Sequence, residues 1–419
     1  MPDRKKQPPF QKSINFQLKL PEAIHRPGKA PLFILHGGEQ EIIRVEFVFC
    51  AGKWFETTPG LSHFSSTLLT KGTSGLSGNE IASLLEELGY HVETGTSPDY
   101  TYLAVSGLRK NFKPAIEIIR SCLTDPVFPE HELQQQKHIY IQQLSVNRER
   151  TSYLASRLFR QHIFGKDHPY AAEADETRVS QLTREEIAAY YARHYGDFTV
   201  FLTGKTDDVI RESISDLIER LNWQAHAKPE HRISPGNIRK VSQSKPKAVQ
   251  ASVRIGKITI SRSHPDFPQL VLANYVLGGY FGSRLMKVIR EEKGLTYGIY
   301  SGIQSQKNAT VFSVSADVNL NQAEAVIEEI LNQLKDLRTH AVQLRELELA
   351  KSHFIGNLQN EMSNIFAHME RFKTIHLFDL PHNYYSQLIQ KIDSAKSEDI
   401  MGVMEKHLHE DEMIIALAG

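Results

Sequence analysis

The feature that most limits what this chain can fold into is an internal repeat. ELQQQKHIYIQQL at Glu132–Leu144 lies over ELELAKSHFIGNL at Glu346–Leu358, and EELG at Glu86–Gly89 lies over EEKG at Glu291–Gly294. Around these anchors one order of strand, helix, glycine turn, helix, hairpin, long helix and final strand is read twice. A duplicated unit carries the same hydrophobic faces twice, so two homologous domains are expected rather than one large core. The run WQAHAKPEHRISPGNIRKVSQSKPK at Trp223–Lys247 is polar, basic and broken by three prolines, as a linker is. The expected layout is an N-terminal arm over 1–30, a first domain over 31–222, the linker over 223–247 and a second domain over 248–419.

Local patterns make each copy an α+β unit, a mostly antiparallel sheet packed with helices. Ile43, Val45, Phe47 and Phe49 alternate along a strand. A helix over Leu61–Lys71 stops at Gly72, and Ser77 with Glu80 forms a capping box opening Gly78–Leu88. Strands Tyr90–Thr94 and Tyr100–Ser106 make a hairpin, and Pro114 starts a helix running to Leu123. Long helices cover Glu130–Arg150 and Ser152–Phe164, and Thr183 with Glu186 caps Ile187–His194. Asp197–Thr203 and Asp411–Ala418 close the two copies as strands. Two such halves facing each other enclose a cavity suited to holding a ligand.

In the second copy, GGYFGSRLMKVIREEKGLTYGIY at Gly278–Tyr300 reads as a glycine turn, a helix and a strand. Phe281, Leu285, Val288 and Ile289 make one apolar helical face, Gly294 stops the helix, and Leu295, Tyr297 and Ile299 alternate after it. Arg290 falls in the last helical turn and Tyr297 on the strand, seven positions apart. A guanidinium and a phenol held by rigid elements can clamp an anion or a carbonyl. From these residues alone the plainer reading is favoured: a cation at a helix end beside a half-buried tyrosine.

Charge and length exclude several classes. Lys plus Arg equals Asp plus Glu, 49 each, so no net field draws the chain to nucleic acid or to an anionic membrane. No apolar run approaches the ~18 residues of a membrane span. Cys50 and Cys122, the two cysteines, sit among apolar neighbours and read as reduced thiols. MPDRKKQPPFQKS lacks the apolar core of a secretory signal. A cytoplasmic location is expected, or a periplasmic one if a signal has been trimmed.

GLSHFSSTLLTKGT at Gly60–Thr73 and GSRLMKVIREEKGLTY at Gly282–Tyr297, together with the duplication and linker, resemble the pitrilysin-type (inverzincin) metallopeptidases. The likeness runs from about Phe33 to Ala418 and points to the half-size class that includes mitochondrial processing peptidase. Active members carry H-x-x-E-H, two histidines binding zinc and a glutamate polarising the attacking water, with a further glutamate ligand on a later helix. The resemblance places His63, Ser66 and Thr67 on the first motif and Gln143 on the distal glutamate, with Gln136 one helical face earlier. Only the first histidine is kept, and none of the 19 histidines has another at i+4. No metal is therefore expected in this chain.

In paired members one chain carries zinc and the other an Arg–Tyr pair that stabilises the oxyanion, and Arg290 and Tyr297 resemble that pair. Val92–Leu108 takes the place of the substrate-binding edge strand, with Thr94, Gly95 and Thr96 at the contact positions, of which only Thr96 matches the family run. The resemblance implies a zinc-free subunit of a heteromeric peptidase, inactive alone. Its partner would be a homologous zinc-bearing chain, its substrate a peptide, and the isolated chain could homodimerise. The alternative is a non-catalytic pseudopeptidase that binds peptides or scaffolds a complex.

Overall fold

The computed structural model describes residues 17–419. The first copy opens with β1 (Glu22–Ile24), β2 (Leu32–His36) and β3 (Ile42–Phe49), followed by α1 (Leu61–Leu68) and α2 (Gly78–Glu87). The hairpin β4 (Tyr90–Thr96) and β5 (Thr101–Leu108) leads to α3 (Phe112–Thr124), α4 (Glu130–Arg148) and α5 (Thr151–Phe164). Then come α6 (Glu176–Gln181), α7 (Arg184–His194), β6 (Phe198–Gly204) and α8 (Asp208–Arg220). The capping boxes form as expected: the Ser77 and Thr183 hydroxyls accept from the Glu80 and Glu186 amides, and those glutamates accept from the cap amides. The first helix ends at Leu68, short of Lys71.

The second copy contains β7 (Lys240–Gln243), β8 (Gln250–Thr259), α9 (Phe267–Gly278), a π-helical segment (Met286–Glu292), β9 (Thr296–Ser305) and β10 (Thr310–Asn319). It finishes with α10 (Ala323–Thr339), α11 (Leu344–Glu361), α12 (Ile365–Leu377), α13 (Tyr384–Ser394), α14 (Ser397–His407) and β11 (Ile414–Ala418). The two sheets share one topology apart from β1, an extra edge strand of the first. The first runs β1-β2-β6-β3-β5-β4 and the second β7-β11-β8-β10-β9, antiparallel except for β2 with β6 and β7 with β11. The repeat extends to backbone conformation: Gly89 and Gly294, the last residues of EELG and EEKG, both take the left-handed region, at φ 73° and 63°. Two short strands lie where the sequence reads as polar connection. β1 falls inside 1–30 and pairs with β2, and β7 falls inside 223–247 and pairs with β11. Residues 1–16 of the expected arm lie outside the described residues.

Each sheet is covered on both faces. Alternation puts Ile43, Val45 and Phe47 of β3 in the main core of the first half, against α1, α3, α7 and α8. In the second half α9 buries most of its circumference, apolar except for Gln269 and Asn274, as a helix sunk in the core does. The opposite faces are closed by exchange. After α4 the chain crosses, and α5 sets Phe159, Ile163 and Phe164 beside Val311 and Ala416 of the second sheet. After α11 it crosses back, and α12 lays Ile365, Met369 and Phe372 on Phe33, Leu35, Val48 and Phe201 of the first. Each fully buried large side chain there contributes about 1.5–3 kcal/mol of transfer free energy. Lys373 of α12 also reaches Glu46 of β3 at 2.6 Å, an ion pair whose side chains are 12% and 8% exposed. The hairpin tips meet as well, with Asp99 accepting from the Tyr170 hydroxyl at 2.5 Å and from the Lys307 amide at 2.9 Å.

Candidate functional site

The degenerate zinc motif sits on α1, whose N-terminus is held by one part-buried carboxylate. Glu56 Oε1 accepts from the Gly60 amide at 3.2 Å, the Ser62 amide at 2.8 Å and the Ser62 hydroxyl at 2.6 Å. Burial raises the Glu56 carboxyl above its ordinary range, while these donors oppose the rise. His63 is half-buried and packs edge-on to Phe64 and against Tyr140 of α4, each at 5.1 Å between ring centres. Desolvation, with a smaller push from Lys53, lowers its pKa. Ser66 is 1% exposed, and its hydroxyl has no hydrogen-bond partner among the described residues. Gln136, Tyr140 and Gln143 follow at i, i+4 and i+7 on one side of α4. From α4 it is Tyr140 that packs on His63, and Gln143, one turn on, is exposed. Tyr140, three residues before the distal position, is a site neighbour that the sequence motif does not mark.

These residues do not fit zinc. A neutral imidazole is one good ligand, but a threonine hydroxyl and a glutamine amide are poor ones, and a buried serine cannot take up a proton at neutral pH. Among the described residues, the clusters whose donor atoms converge closely enough for a metal are His264, Asp266 and His407, and His409, Glu410 and Asp411; neither includes His63.

Arg290 and Tyr297 both sit on insertions in regular structure. The helix before β9 winds as a π-helix from Met286 to Glu292, and the Lys293 amide donates to the Val288 carbonyl five residues back at 3.1 Å. The extra residue per turn spoils the α-helical face read from the sequence. Leu285, Met286 and Ile289 are buried, but Phe281 precedes the helix, is 62% exposed and does not belong to the buried face. Its ring instead supports Arg290, whose guanidinium carbon lies 5.0 Å from the ring centre. On β9, Thr296 pairs with Val318 and Ile299 with Ala316, so Tyr297 and Gly298 together face Asp317 in a β-bulge. The Thr296 hydroxyl fixes the bulge, donating to the Asp317 carbonyl at 2.7 Å. Tyr297 is 93% exposed there, not half-buried. Both residues line a surface cleft of about 430 Å³ with Gln250, Thr296, Asp317 and Asn319. Arg290 makes no ion pair among the described residues, so its charge is free for an incoming anion.

Thr94, Gly95 and Thr96 lie on β4, the edge strand of the first sheet. A Cβ on Gly95 would meet the Tyr102 ring at 2.7 Å, so cross-strand packing by itself accounts for glycine there. No helix among the described residues is long and apolar enough to cross a membrane.

Comparison with known proteins identifies the family. The profile described as "Insulinase (Peptidase family M16)" matches residues 35–168, and that described as "Peptidase M16 inactive domain" matches residues 181–354. The "Uncharacterized zinc protease YmxG" of Bacillus subtilis is 23% identical over 84% of this chain and 86% of its own length. The "Non-peptidase homolog YmxG" of Helicobacter pylori is 23% identical over 85% and 84%. In structure, the peptidase M16 inactive domain from Pseudomonas fluorescens aligns with a TM-score of 0.87 at 23% identity, over 95% of this chain and 98% of that one. A protease from Helicobacter pylori aligns at 0.85 and 17%, over 96% and 100%. The chain belongs to the M16 peptidase family, as a half-size member without the zinc-binding motif.

Proposed function

We propose that this chain is the zinc-free subunit of a two-chain M16 peptidase. A homologous partner with an intact H-x-x-E-H motif supplies zinc and general base, and this chain supplies Arg290 and Tyr297. The observation that carries the reading is the placement of both residues on backbone insertions, a π-helix and a β-bulge, beside an open cleft. Such irregularities recur where a side chain has to be re-aimed toward a function. An unpaired guanidinium and an exposed phenol, both carried on ordered backbone, are donors within reach of the carbonyl oxygen of a peptide as it gains negative charge. The β4 edge, with Thr94, Gly95 and Thr96, receives extended peptide by strand addition in this scheme. A reducing, cytoplasmic setting belongs to the proposal and is supported by two unpaired cysteines, Cys50 and Cys122, whose thiols burial pushes up to about 12.

The test is co-purification with a zinc-bearing homologue from the same organism and assay of peptide cleavage with Arg290→Ala. Loss of one oxyanion donor lowers kcat by ~10²–10³-fold. Undiminished turnover by a stable Arg290→Ala complex removes Arg290 from the mechanism. The second reading, a pseudopeptidase that binds peptides or scaffolds an assembly, is favoured by likeness to a relative named a non-peptidase homologue. It predicts peptide retention with no cleavage by any reconstituted pair.

A further inference from the structure

We propose that His264, Asp266 and His407 form a binding site for a zinc-class divalent transition-metal ion, away from the degenerate motif on α1. The three residues come from two elements. His264 and Asp266 belong to the turn that opens α9, where Asp266 is the N-cap residue, and His407 ends α14. One donor atom from each lies within 4.8 Å of the others, the spread an ion can gather by small side-chain movements.

The hydrogen bonds fix which atoms are available. Asp266's amide donates to His264 Nδ1 at 3.1 Å, so that nitrogen is unprotonated, and an ion that takes its lone pair displaces this hydrogen bond. His407 Nε2 lies 2.9 Å from Asp266 Oδ2, and since a carboxylate only accepts, the imidazole donates there. A metal ion takes the His264 Nδ1 lone pair and an Asp266 oxygen. It takes His407 Nε2 once that ring's proton has moved to Nδ1, or from the imidazolium to solvent. The His264 and His407 rings stand nearly perpendicular with centres 5.3 Å apart, so their nitrogens can converge without ring stacking getting in the way. Two imidazoles and one carboxylate are a borderline donor set suited to zinc, cobalt, nickel or copper rather than calcium or magnesium. Three protein ligands leave a tetrahedral position for water.

The charged neighbours are consistent with an exchangeable ion. Lys406 Nζ lies 3.7 Å from Asp266 Oδ2 on a side chain 66% exposed, free to swing out when a cation arrives. Lys391 Nζ is held by the Pro265 carbonyl at 3.2 Å. The other converging cluster lacks this freedom. Glu410 there is gripped by Arg338 at 2.9 and 2.7 Å, a fixed positive charge where the ion would sit.

The test is titration of the full chain with Co(II), followed by its visible d–d absorption and competed with Zn(II). Saturation at one ion per chain is expected for the wild type. His264→Ala with His407→Ala should abolish the spectrum, and Asp266→Asn should weaken binding by roughly 10–100-fold. Lys406→Gln should tighten it severalfold by removing the competing cation, a gain that no misfolded variant would mimic. Zn(II) should raise the thermal midpoint of the wild type and leave that of the double histidine variant unmoved. An unchanged cobalt spectrum in the double variant overturns the assignment, as does the absence of binding in the wild type.

Discussion

Acid should loosen this protein through two histidines that have nowhere to put a second proton. His168 is 5% exposed, stacked on Phe164 at 5.2 Å and flanked by Trp54, Tyr170 and His231; its Nδ1 accepts the Tyr170 amide and its Nε2 has no partner among the described residues. His194 is 8% exposed, packed on Tyr190 and Phe55 with His226 beyond, and its Nδ1 is likewise unpartnered. Burial first, then the neighbouring positive groups (His231 for one; Arg193 and His226 for the other), holds each imidazole down to about 4, against an ordinary 6.5. Between those values the unfolded chain binds a proton at each site that the folded chain refuses. Stability is therefore intact near pH 7 and falls as pH drops from 6.5 toward 4. At pH 5 the cost per ring is about 2 kcal/mol without screening, reduced by nearby solvent to about 1. Urea unfolding at about pH 7.5 and 5.0 measures it, since carboxylates contribute equally to wild type and variant. His168→Gln with His194→Gln should lessen the acid-induced loss by about 2 kcal/mol. An equal loss in both proteins would refute the linkage, whatever the variant does to stability at neutral pH.

The exchanged helix gives a second expectation. Phe372→Ala removes a ring 3% exposed and 4.9 Å from Phe33, so unfolding free energy should fall by about 3–5 kcal/mol, read by urea denaturation with one transition for the whole chain. Tyr297→Ala, by contrast, should change stability by no more than about 0.5 kcal/mol while lowering turnover of the reconstituted pair. A large stability loss there would mark the tyrosine as structural. Ser77→Ala should cost about 1 kcal/mol by breaking the capping box, measurable as a shift in thermal midpoint.

Much of the fold could be read from local chemistry. The capping boxes, the paired glycines and the alternating strands each reflect interactions within a few residues, and the repeat doubled the signal for every one. What stayed hidden depends on distant partners. A helical pattern tells that α5 and α12 bury an apolar stripe, but not that each lies on the other copy's sheet. KVSQ of β7 reads as connection because three of its four residues are polar, and its strand character comes from pairing with β11. The 3.6-residue template failed here because Phe281 lies in the turn before the helix, under Arg290, and the helix that follows winds as a π-helix. The lost zinc motif was legible by residue type alone, yet Tyr140 against His63 needed the packing of α4 on α1.

Because the two copies trade α5 and α12, the join at 223–239 is not a place where the molecule comes apart. A nick there would leave fragments laced together, each wearing a piece of the other, and either one made alone would present a bare hydrophobic sheet to chaperones and proteases. The two halves cannot part without unseating α5 and α12 from the sheets they cover.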